Sequence, residues 1–178
     1  MQLLIACCSL NPDSRSAVLA AQLRGYAEAH GASVDWLDLR NLDLPVCDGS
    51  SSYARDDVRE LGSRIQTADA VILAVPIYNY SVNSAAKNLL ELTGSAWSNK
   101  VVAFACSAGG RSSYMAVMSL ANNLMLDYRC HIVPRFVYAD TSDFAADGIA
   151  EAIEQRLDTL ALQTILLAKA VKDIPTLS

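Results

Sequence analysis

The 178-residue sequence lacks long apolar runs, an excess of positive charge and a rich supply of histidine. Its longest apolar stretches, residues 71–76 and 101–106, are far shorter than the roughly 20 residues that cross a bilayer, so we expect no membrane segment. The formal net charge of −5 argues against general binding of nucleic acid or anionic membranes. The apolar start, residues 1–8, has no basic flank and is interpreted as a buried strand rather than a signal peptide.

The sequence also lacks a metal-binding pattern. Its five cysteines are odd in number, and their spacings match no zinc motif. Three lie in apolar runs, so we expect reduced thiols in a cytoplasmic protein. Cys7 and Cys8 are adjacent, but neighbouring side chains on a strand point to opposite faces, which opposes their pairing as a redox dithiol. The only histidines, His30 and His131, fall at a predicted helix end and in a predicted strand, where we expect structural roles.

The residues that are present alternate between two patterns. Hydrophobic residues make up 52 % of the chain and charged residues 19 %, which is typical of a globular protein, and the length suits one domain spanning residues 1–178. Apolar runs predict strands at residues 2–8, 33–39, 70–75, 100–106 and 130–138. Helical patterns predict helices at residues 17–30, 56–68, 83–92, 113–127 and 145–171. Residues 40–54 are rich in turn formers and predict a loop.

This alternation predicts an α/β three-layer sandwich, in which a five-stranded parallel sheet has helices on both faces. Five strands in this length suit the strand order 2-1-3-4-5 of the flavodoxin-like fold. In such sheets a ligand binds outside the C-terminal ends of the strands, where the strand order reverses. The loops after predicted strands 1, 3 and 4 are therefore the candidate site.

The first of these loops, residues 9–16, reads Ser-Leu-Asn-Pro-Asp-Ser-Arg-Ser. Its hydroxyl and amide groups, with the N–H groups of a helix N-terminus, can bind a phosphate without a strong positive charge. It has neither a glycine-rich dinucleotide fingerprint nor a Walker lysine, which disfavours a nucleoside-triphosphate enzyme. An ordinary capped turn is the alternative, because Ser and Asp are favoured helix caps.

The other two loops offer surfaces for a flat ligand. Residues 76–83 contain Tyr78 and Tyr80, whose rings and backbone can wall a heterocycle or can simply pack on the loop. Residues 107–112 contain Gly109 and Gly110, which permit positive φ and a close approach of backbone to a planar ligand. A flexible turn before a helix is the alternative for the glycines. The three loops together favour one shared site, because all three follow C-terminal strand ends.

The three loops resemble those of the NAD(P)H-dependent FMN reductases. That family has Gly-Ser-Leu-Arg-x-x-Ser-x-Asn after its first strand, where this chain has Cys-Ser-Leu-Asn-Pro-Asp-Ser-Arg-Ser at residues 8–16. It has Pro-x-Tyr-Asn-x-Ser and then Leu-Lys-Asn, which residues 76–81 and 86–88 match closely. It also has a Gly-Gly turn, as at residues 107–110. The similarity runs in order over residues 1 to about 140.

The resemblance implies a site for FMN. At the first loop it implies that Ser9, Asn11, Ser14 and Ser16 hold the phosphate, and Arg15 of the same loop is predicted to be a further cofactor-binding residue. At the second and third loops it implies that the flavin ring and ribityl chain meet Pro76, Ile77, Tyr78, Asn79, Tyr80, Ser81, Ser107, Gly109 and Gly110. Lys87 and Asn88 would tie the following helix to its loop.

The chain departs from the family pattern at four positions. Cys8 replaces a glycine, and Asn11 replaces an arginine that often helps to bind phosphate. Asp13 adds a negative charge near the proposed phosphate, so it must point outward or be offset by Arg15. Asn83 replaces a common proline at the start of the third helix.

The activity implied is that of a flavin oxidoreductase: hydride passes from NAD(P)H to FMN and then to a second small-molecule acceptor such as flavin or quinone. Because the flavin carries the chemistry, no catalytic side chain is assigned. Two alternatives are a non-enzymatic FMN-binding electron carrier and a flavin-free interaction domain on the same fold. The resemblance, and the apolar residues of the third and fourth helices, imply a homodimer or homotetramer.

Overall fold

A computed structural model describes residues 1–146 and 148–172. The strands of the main sheet are β1 (Gln2–Cys7), β2 (Ser33–Asp38), β3 (Ala70–Tyr78), β4 (Ser81–Val82), β5 (Val101–Ser107), β6 (His131–Ile132) and β7 (Val137–Ala139). A separate hairpin comprises β8 (Phe144–Ala145) and β9 (Gly148–Ile149). The α-helices are α1 (Arg15–Ala29), α2 (Asp56–Thr67), α3 (Ser84–Thr93), α4 (Met118–Tyr128) and α5 (Glu151–Val171).

The main sheet confirms the predicted flavodoxin-like order. Its parallel strands run β2-β1-β3-β5, with β6 and β7 both pairing with β5 at the outer edge. Cys7 pairs with Asp38 and Ala74, and Ser107 pairs with Pro76 and Ala139. The C-terminal strand ends therefore meet at one edge, as the candidate site requires.

Alternation along the strands divides the core into two apolar layers. Leu4, Ala6 and Cys8 face the layer that contains α2, α3 and α4, whereas Leu3, Ile5 and Cys7 face the layer that contains α1 and α5. The central strands β3 and β5 are buried on both faces, which explains their continuous apolar sequences. Cys7 and Cys8 thus lie in different layers, and all five cysteines are free.

The predicted fifth strand, residues 130–138, was wrong as a continuous element. It forms β6 and β7, separated by residues 133–136. Pro134 has no N–H for a sheet ladder, and Arg135 has a φ of +60°, outside the strand region. The two short strands pair with opposite ends of β5, so the overall strand order is the same as for one continuous strand.

The predicted last helix, residues 145–171, also begins too early. It starts at Glu151 and continues without a break to Val171. Phe144 instead pairs with Ile149 in the β8–β9 hairpin, and Gly148 has a φ of +141°, which a helix cannot contain. Residue 147 lies outside the described residues. Within those residues, no helix combines the length and hydrophobicity required to cross a bilayer.

Candidate functional site

A cleft of about 720 Å³ opens at the C-terminal edge of the sheet, a size in the range of small-molecule pockets. Ten predicted site residues line it: Ser9, Asn11, Ser14, Arg15, Pro76, Ile77, Tyr78, Asn79, Ser107 and Gly109. Asp13 and Ala108 also line it, although neither was among the predicted residues. The predicted residues Ser16, Tyr80, Ser81 and Gly110 lie in the same loops but outside the lining.

One end of the cleft, which we call the α1 end, is formed by residues 9–16. Ser14 is the N-cap of α1, and its Oγ accepts a hydrogen bond from the Ala17 N–H at 3.3 Å. The Ser14 and Ser16 hydroxyls lie 2.8 Å apart, and both residues are buried, as is Ser9. The first N–H groups of a helix have no acceptor within the helix, so buried hydroxyls at this position form a donor site for an anion.

The tip of the first loop is held by short turns. The Asn11 N–H donates to Ser9 Oγ at 3.2 Å, and the Asp13 N–H donates to Asn11 Oδ1 at 3.0 Å. The Asp13 side chain is exposed at the mouth of the cleft. Water can therefore screen its charge, which reduces its conflict with a bound phosphate.

Arg40 supports the loop of residues 9–16 by binding the Pro12 carbonyl. Its guanidinium forms a two-pronged pair with Asp38, with Nη2 to Oδ2 at 2.6 Å, and its Nη1 donates to the Pro12 carbonyl at 3.0 Å. The hydrogen bonds from Arg40 hold the pKa of the Asp38 carboxyl below its usual range. The loop therefore rests on a partly buried ion pair at the end of β2.

The opposite side of the cleft, which we call the hairpin end, is formed by residues 76–81 and 107–110. β3 turns back into β4 through Asn79 and Tyr80, which have φ values of +50° and +60°. Two consecutive left-handed residues define a type I′ hairpin turn, in which Asn is favoured and a bulky Tyr is strained. Tyr78 is 52 % exposed and Tyr80 is 69 % exposed, so this end is open to solvent.

Asn83 connects the two ends of the cleft through hydrogen bonds to the strand ends before them. Its N–H donates to the Pro76 carbonyl at 3.1 Å, and its Nδ2 donates to the Cys8 carbonyl at 2.6 Å. A proline could make neither bond, so the departure from the family pattern has a structural consequence. Asn83 is only 6 % exposed, and within the described part of the chain its Oδ1 accepts no hydrogen bond.

The glycine loop after β5 is anchored from β7. The Ala108 N–H donates to the Ala139 carbonyl at 2.9 Å, and the Tyr138 hydroxyl donates to the Gly110 carbonyl. Neither glycine adopts the positive φ that glycine permits. A Cβ added at Gly109 would meet no protein atom within 4 Å, so the space beside this backbone is open to a ligand.

His30, Asn88 and Lys87, for which the sequence predicted structural roles, all form side-chain contacts outside the cleft lining. His30 lies 2.6 Å from Asp158 and links α1 to α5, away from the cleft lining. Asn88 does not tie α3 to its own loop; it donates to the Pro45 carbonyl and accepts from the Cys47 N–H, both at 2.8 Å. Lys87 pairs with Glu91 on the same helix.

Burial raises the pKa of the Cys8 thiol, which is therefore a poor nucleophile.

The residues present fit FMN. A phosphate monoester needs clustered donors, which the α1 end supplies through the Ser9 and Ser14 hydroxyls that line the cleft and through the helix N-terminus. A planar ring system needs open space beside backbone, which Gly109 and the exposed Tyr78 provide. In the described residues, no group of three or more His, Cys, Asp or Glu has the arrangement of a metal site.

Comparisons with known proteins identify the family of this chain. The family model for NADPH-dependent FMN reductase matches residues 1–144. An NAD(P)H-dependent FAD/FMN reductase from Geobacillus thermodenitrificans is 25 % identical over 166 residues, which are 89 % of this chain and 89 % of the relative. An FMN reductase (NADPH) from Pseudomonas putida is 27 % identical over 172 residues, which are 90 % and 85 % of the two chains.

Solved structures show the same fold. The apo form of the NADH:FMN oxidoreductase EMOB superposes with a TM-score of 0.79 at 17 % identity, over 98 % of this chain and 92 % of the other. A flavodoxin from the domain Archaea gives a TM-score of 0.69 at 12 % identity, over 95 % and 99 %. The extent of the family match, over most of the chain, decides the assignment. The chain belongs to the NADPH-dependent FMN reductase family of flavin oxidoreductases, which use FMN and NAD(P)H.

Proposed function

We propose that this chain binds FMN with the phosphate at the α1 end and the ring at the hairpin end, and that it transfers hydride from NAD(P)H to a second acceptor such as flavin or quinone. The observation that carries the proposal is the contrast within one cleft. Buried hydroxyls lie at a helix N-terminus on one side, and open backbone beside Gly109 lies on the other.

FMN, when bound, supplies the hydride-accepting and hydride-donating chemistry. The protein holds the phosphate through the Ser9 and Ser14 hydroxyls, with the Ser16 hydroxyl 2.8 Å from that of Ser14, and leaves an open face beside the exposed Tyr78 and Tyr80. One open face can accept NAD(P)H and then the second acceptor in turn, so we expect ping-pong kinetics. The residues proposed to contact the flavin bind and orient it, and none is proposed as a general acid or base.

Two measurements on the purified protein test this function. Flavin fluorescence should be quenched to saturation on titration with the protein, and NAD(P)H absorbance should fall when FMN or a quinone is supplied. Absence of both saturable FMN binding and NAD(P)H oxidation would overturn the proposal. Tight FMN binding without NAD(P)H oxidation would indicate an electron carrier instead.

We further propose that the protein forms a homodimer or homotetramer in the cytoplasm. Support for assembly comes from exposed apolar side chains in and before α4, including Met115, Met118 and Leu126. The five free thiols suit a reducing compartment. A monomeric mass by light scattering at micromolar concentration would contradict the assembly.

We also propose that residues 1–178 form one domain. The long helix α5 packs on α1 in a shared apolar layer that includes Leu19, Leu23, Leu157 and Leu160. This packing extends beyond residue 144, where the family match ends. A single cooperative unfolding transition is expected, and two separated transitions would contradict this organisation.

A further inference from the structure

The segment that follows β7 contacts both sides of the cleft. Thr141 begins a short 3-10 turn, Thr141–Asp143, at the same sheet edge as the other loops. Its Oγ1 accepts a hydrogen bond from Arg15 Nη1 at 2.7 Å and donates to the Gly109 carbonyl at 3.2 Å. One hydroxyl therefore connects the start of α1 with the glycine loop, although Arg15 and Thr141 are 126 positions apart.

Arg15 is held by a second contact. Its guanidinium carbon lies 5.6 Å from the centre of the Phe144 ring, within the range of a cation–π interaction. Phe144 pairs with Ile149 in the β8–β9 hairpin, and both residues pack against the apolar layer under α1. The ring is therefore anchored by the core, and the guanidinium is confined between an anchored ring and a hydroxyl.

The turn that carries Thr141 is itself rigid. Asp140 caps it through the Ser142 N–H at 2.8 Å, and Asp143 accepts from the Asp140 N–H at 2.8 Å. Arg111, from the glycine loop, donates to Asp140 Oδ2 at 2.7 Å. These bonds fix the position of the Thr141 hydroxyl before any ligand arrives, which lowers the entropic cost of ordering Arg15.

Arg15 differs from the other arginines around the cleft in its charge balance. Arg40 pairs with Asp38, and Arg111 pairs with Asp140. Among the residues that the structure describes, no carboxylate forms a salt bridge with Arg15, which is the one cation in the lining of the cleft. It lies four positions after Asn11, in the same loop after β1.

We propose that Thr141 and Phe144 act as positioning residues that hold Arg15 as the cation recognising the phosphate monoester of FMN. The inference rests on the proposed function, because it names the group that discriminates FMN from riboflavin at that same site. The turn after β7 thereby supports two of the three loops that form the site, through Arg15 at the start of α1 and through the Gly109 carbonyl. Arg15 supplies the positive charge of this loop, because the Asn11 side chain is neutral.

The test compares dissociation constants for FMN and riboflavin, measured by quenching of flavin fluorescence. Thr141→Val keeps the shape but removes the hydroxyl, and we expect it to weaken FMN binding about tenfold while riboflavin binding changes about twofold or less. Thr141→Ser restores the hydroxyl and should restore the FMN preference. Phe144→Leu should reduce that preference about threefold.

A double-variant cycle separates positioning from general loosening. Arg15→Met should lower the preference for FMN over riboflavin further than Thr141→Val does. The double variant Arg15→Met/Thr141→Val should show the same preference as Arg15→Met alone. Thr159→Val is the matched control, since the Thr159 hydroxyl is exposed and bonds only the Gln155 carbonyl of its own helix. We expect this control to bind both flavins as the unaltered protein does.

The outcomes distinguish the two proposals. If the unaltered protein binds neither flavin, the proposed function fails. If it prefers FMN and Thr141→Val, Phe144→Leu and Arg15→Met all keep that preference, the positioning role fails while the function stands. If Thr141→Val does not fold, the Phe144→Leu and Arg15→Met ratios decide the question in the same way.

Discussion

The two ends of the cleft are built in opposite ways. At the α1 end, Ser9, Ser14 and Ser16 are buried, and the loop is braced by Arg40 and Asn83. At the hairpin end, Tyr78 and Tyr80 are largely exposed and Gly109 faces open space. Preorganised donors suit the part of a cofactor that stays in place, whereas an open surface suits the part that must meet two substrates in turn. This difference is the basis for our proposal that the α1 end holds the phosphate and that the hairpin end leaves the ring accessible.

The largest expected effect comes from placing a negative charge at the α1 end. Ser14→Asp keeps a good helix cap but adds a carboxylate where the phosphate is proposed to bind. We expect FMN binding to weaken at least about 100-fold, because like charges at short range repel strongly, and riboflavin binding to weaken far less. Ser14→Asn is the neutral control and should lose only a few-fold. Equal losses for FMN and riboflavin in Ser14→Asp would place the phosphate elsewhere.

A smaller effect is expected at the hairpin end. Gly109→Ala adds a methyl group to a backbone that no protein atom approaches, so it should fold normally but intrude on the ring. We expect FMN and riboflavin to lose affinity about equally, by about tenfold, because both carry the same ring. The control Gly25→Ala lies on the exposed face of α1 and should raise stability by about 1 kcal/mol without changing flavin binding. A selective loss of FMN in Gly109→Ala would reverse the assignment of the two ends.

Strain at the hairpin end gives a stability prediction. Tyr80 occupies a left-handed position that glycine adopts freely. Tyr80→Gly should raise the free energy of unfolding by up to about 1 kcal/mol, since the relieved strain exceeds the entropic cost of glycine. Urea unfolding of the flavin-free protein measures this. A loss of more than about 1 kcal/mol would mean that the Tyr80 contact with Ser112 outweighs the strain.

The smallest effect concerns acid stability of the turn after β7. Hydrogen bonds from Ser142 and the pairing with Arg111 hold the pKa of Asp140 at about 2. A depressed folded-state pKa stabilises the protein above the unfolded value of about 4 and loses that contribution as the pH falls toward 2. Asp140→Asn should therefore be less stable than the unaltered protein at pH 5–7. The difference should shrink as the pH falls below about 4, and a difference that persists at pH 2 would contradict the assigned pKa.

The sequence predicted the sheet better than the site. Continuous apolar strands such as β3 and β5 are apparent from residue type alone, because both of their faces are buried. The break at Pro134 and Arg135 was missed because a positive φ at Arg135 is set by the surrounding fold rather than by its own propensity. The hairpin turn at Asn79 and Tyr80 was recognised as a loop, but its left-handed geometry depends on the pairing of β3 with β4.

The sequence predicted those parts of the candidate site that immediately follow a strand. The loops after β1, β3 and β5 were recognised because hydroxyls, rings and glycines cluster there. Thr141 also follows a strand end, after Ala139, and that position was the available signal for it. The role we propose for it rests on its contacts with Arg15 and Gly109, which no local sequence pattern indicates.

The most direct measurement is a crystal structure of the complex with FMN. We expect phosphate oxygens within about 3 Å of the Ser9 and Ser14 hydroxyls and the first N–H groups of α1, with the ring beside Tyr78 and Gly109. A phosphate bound at any other place, or a ring whose two faces are both sealed by this chain, would contradict the division of the cleft into a holding end and an open end.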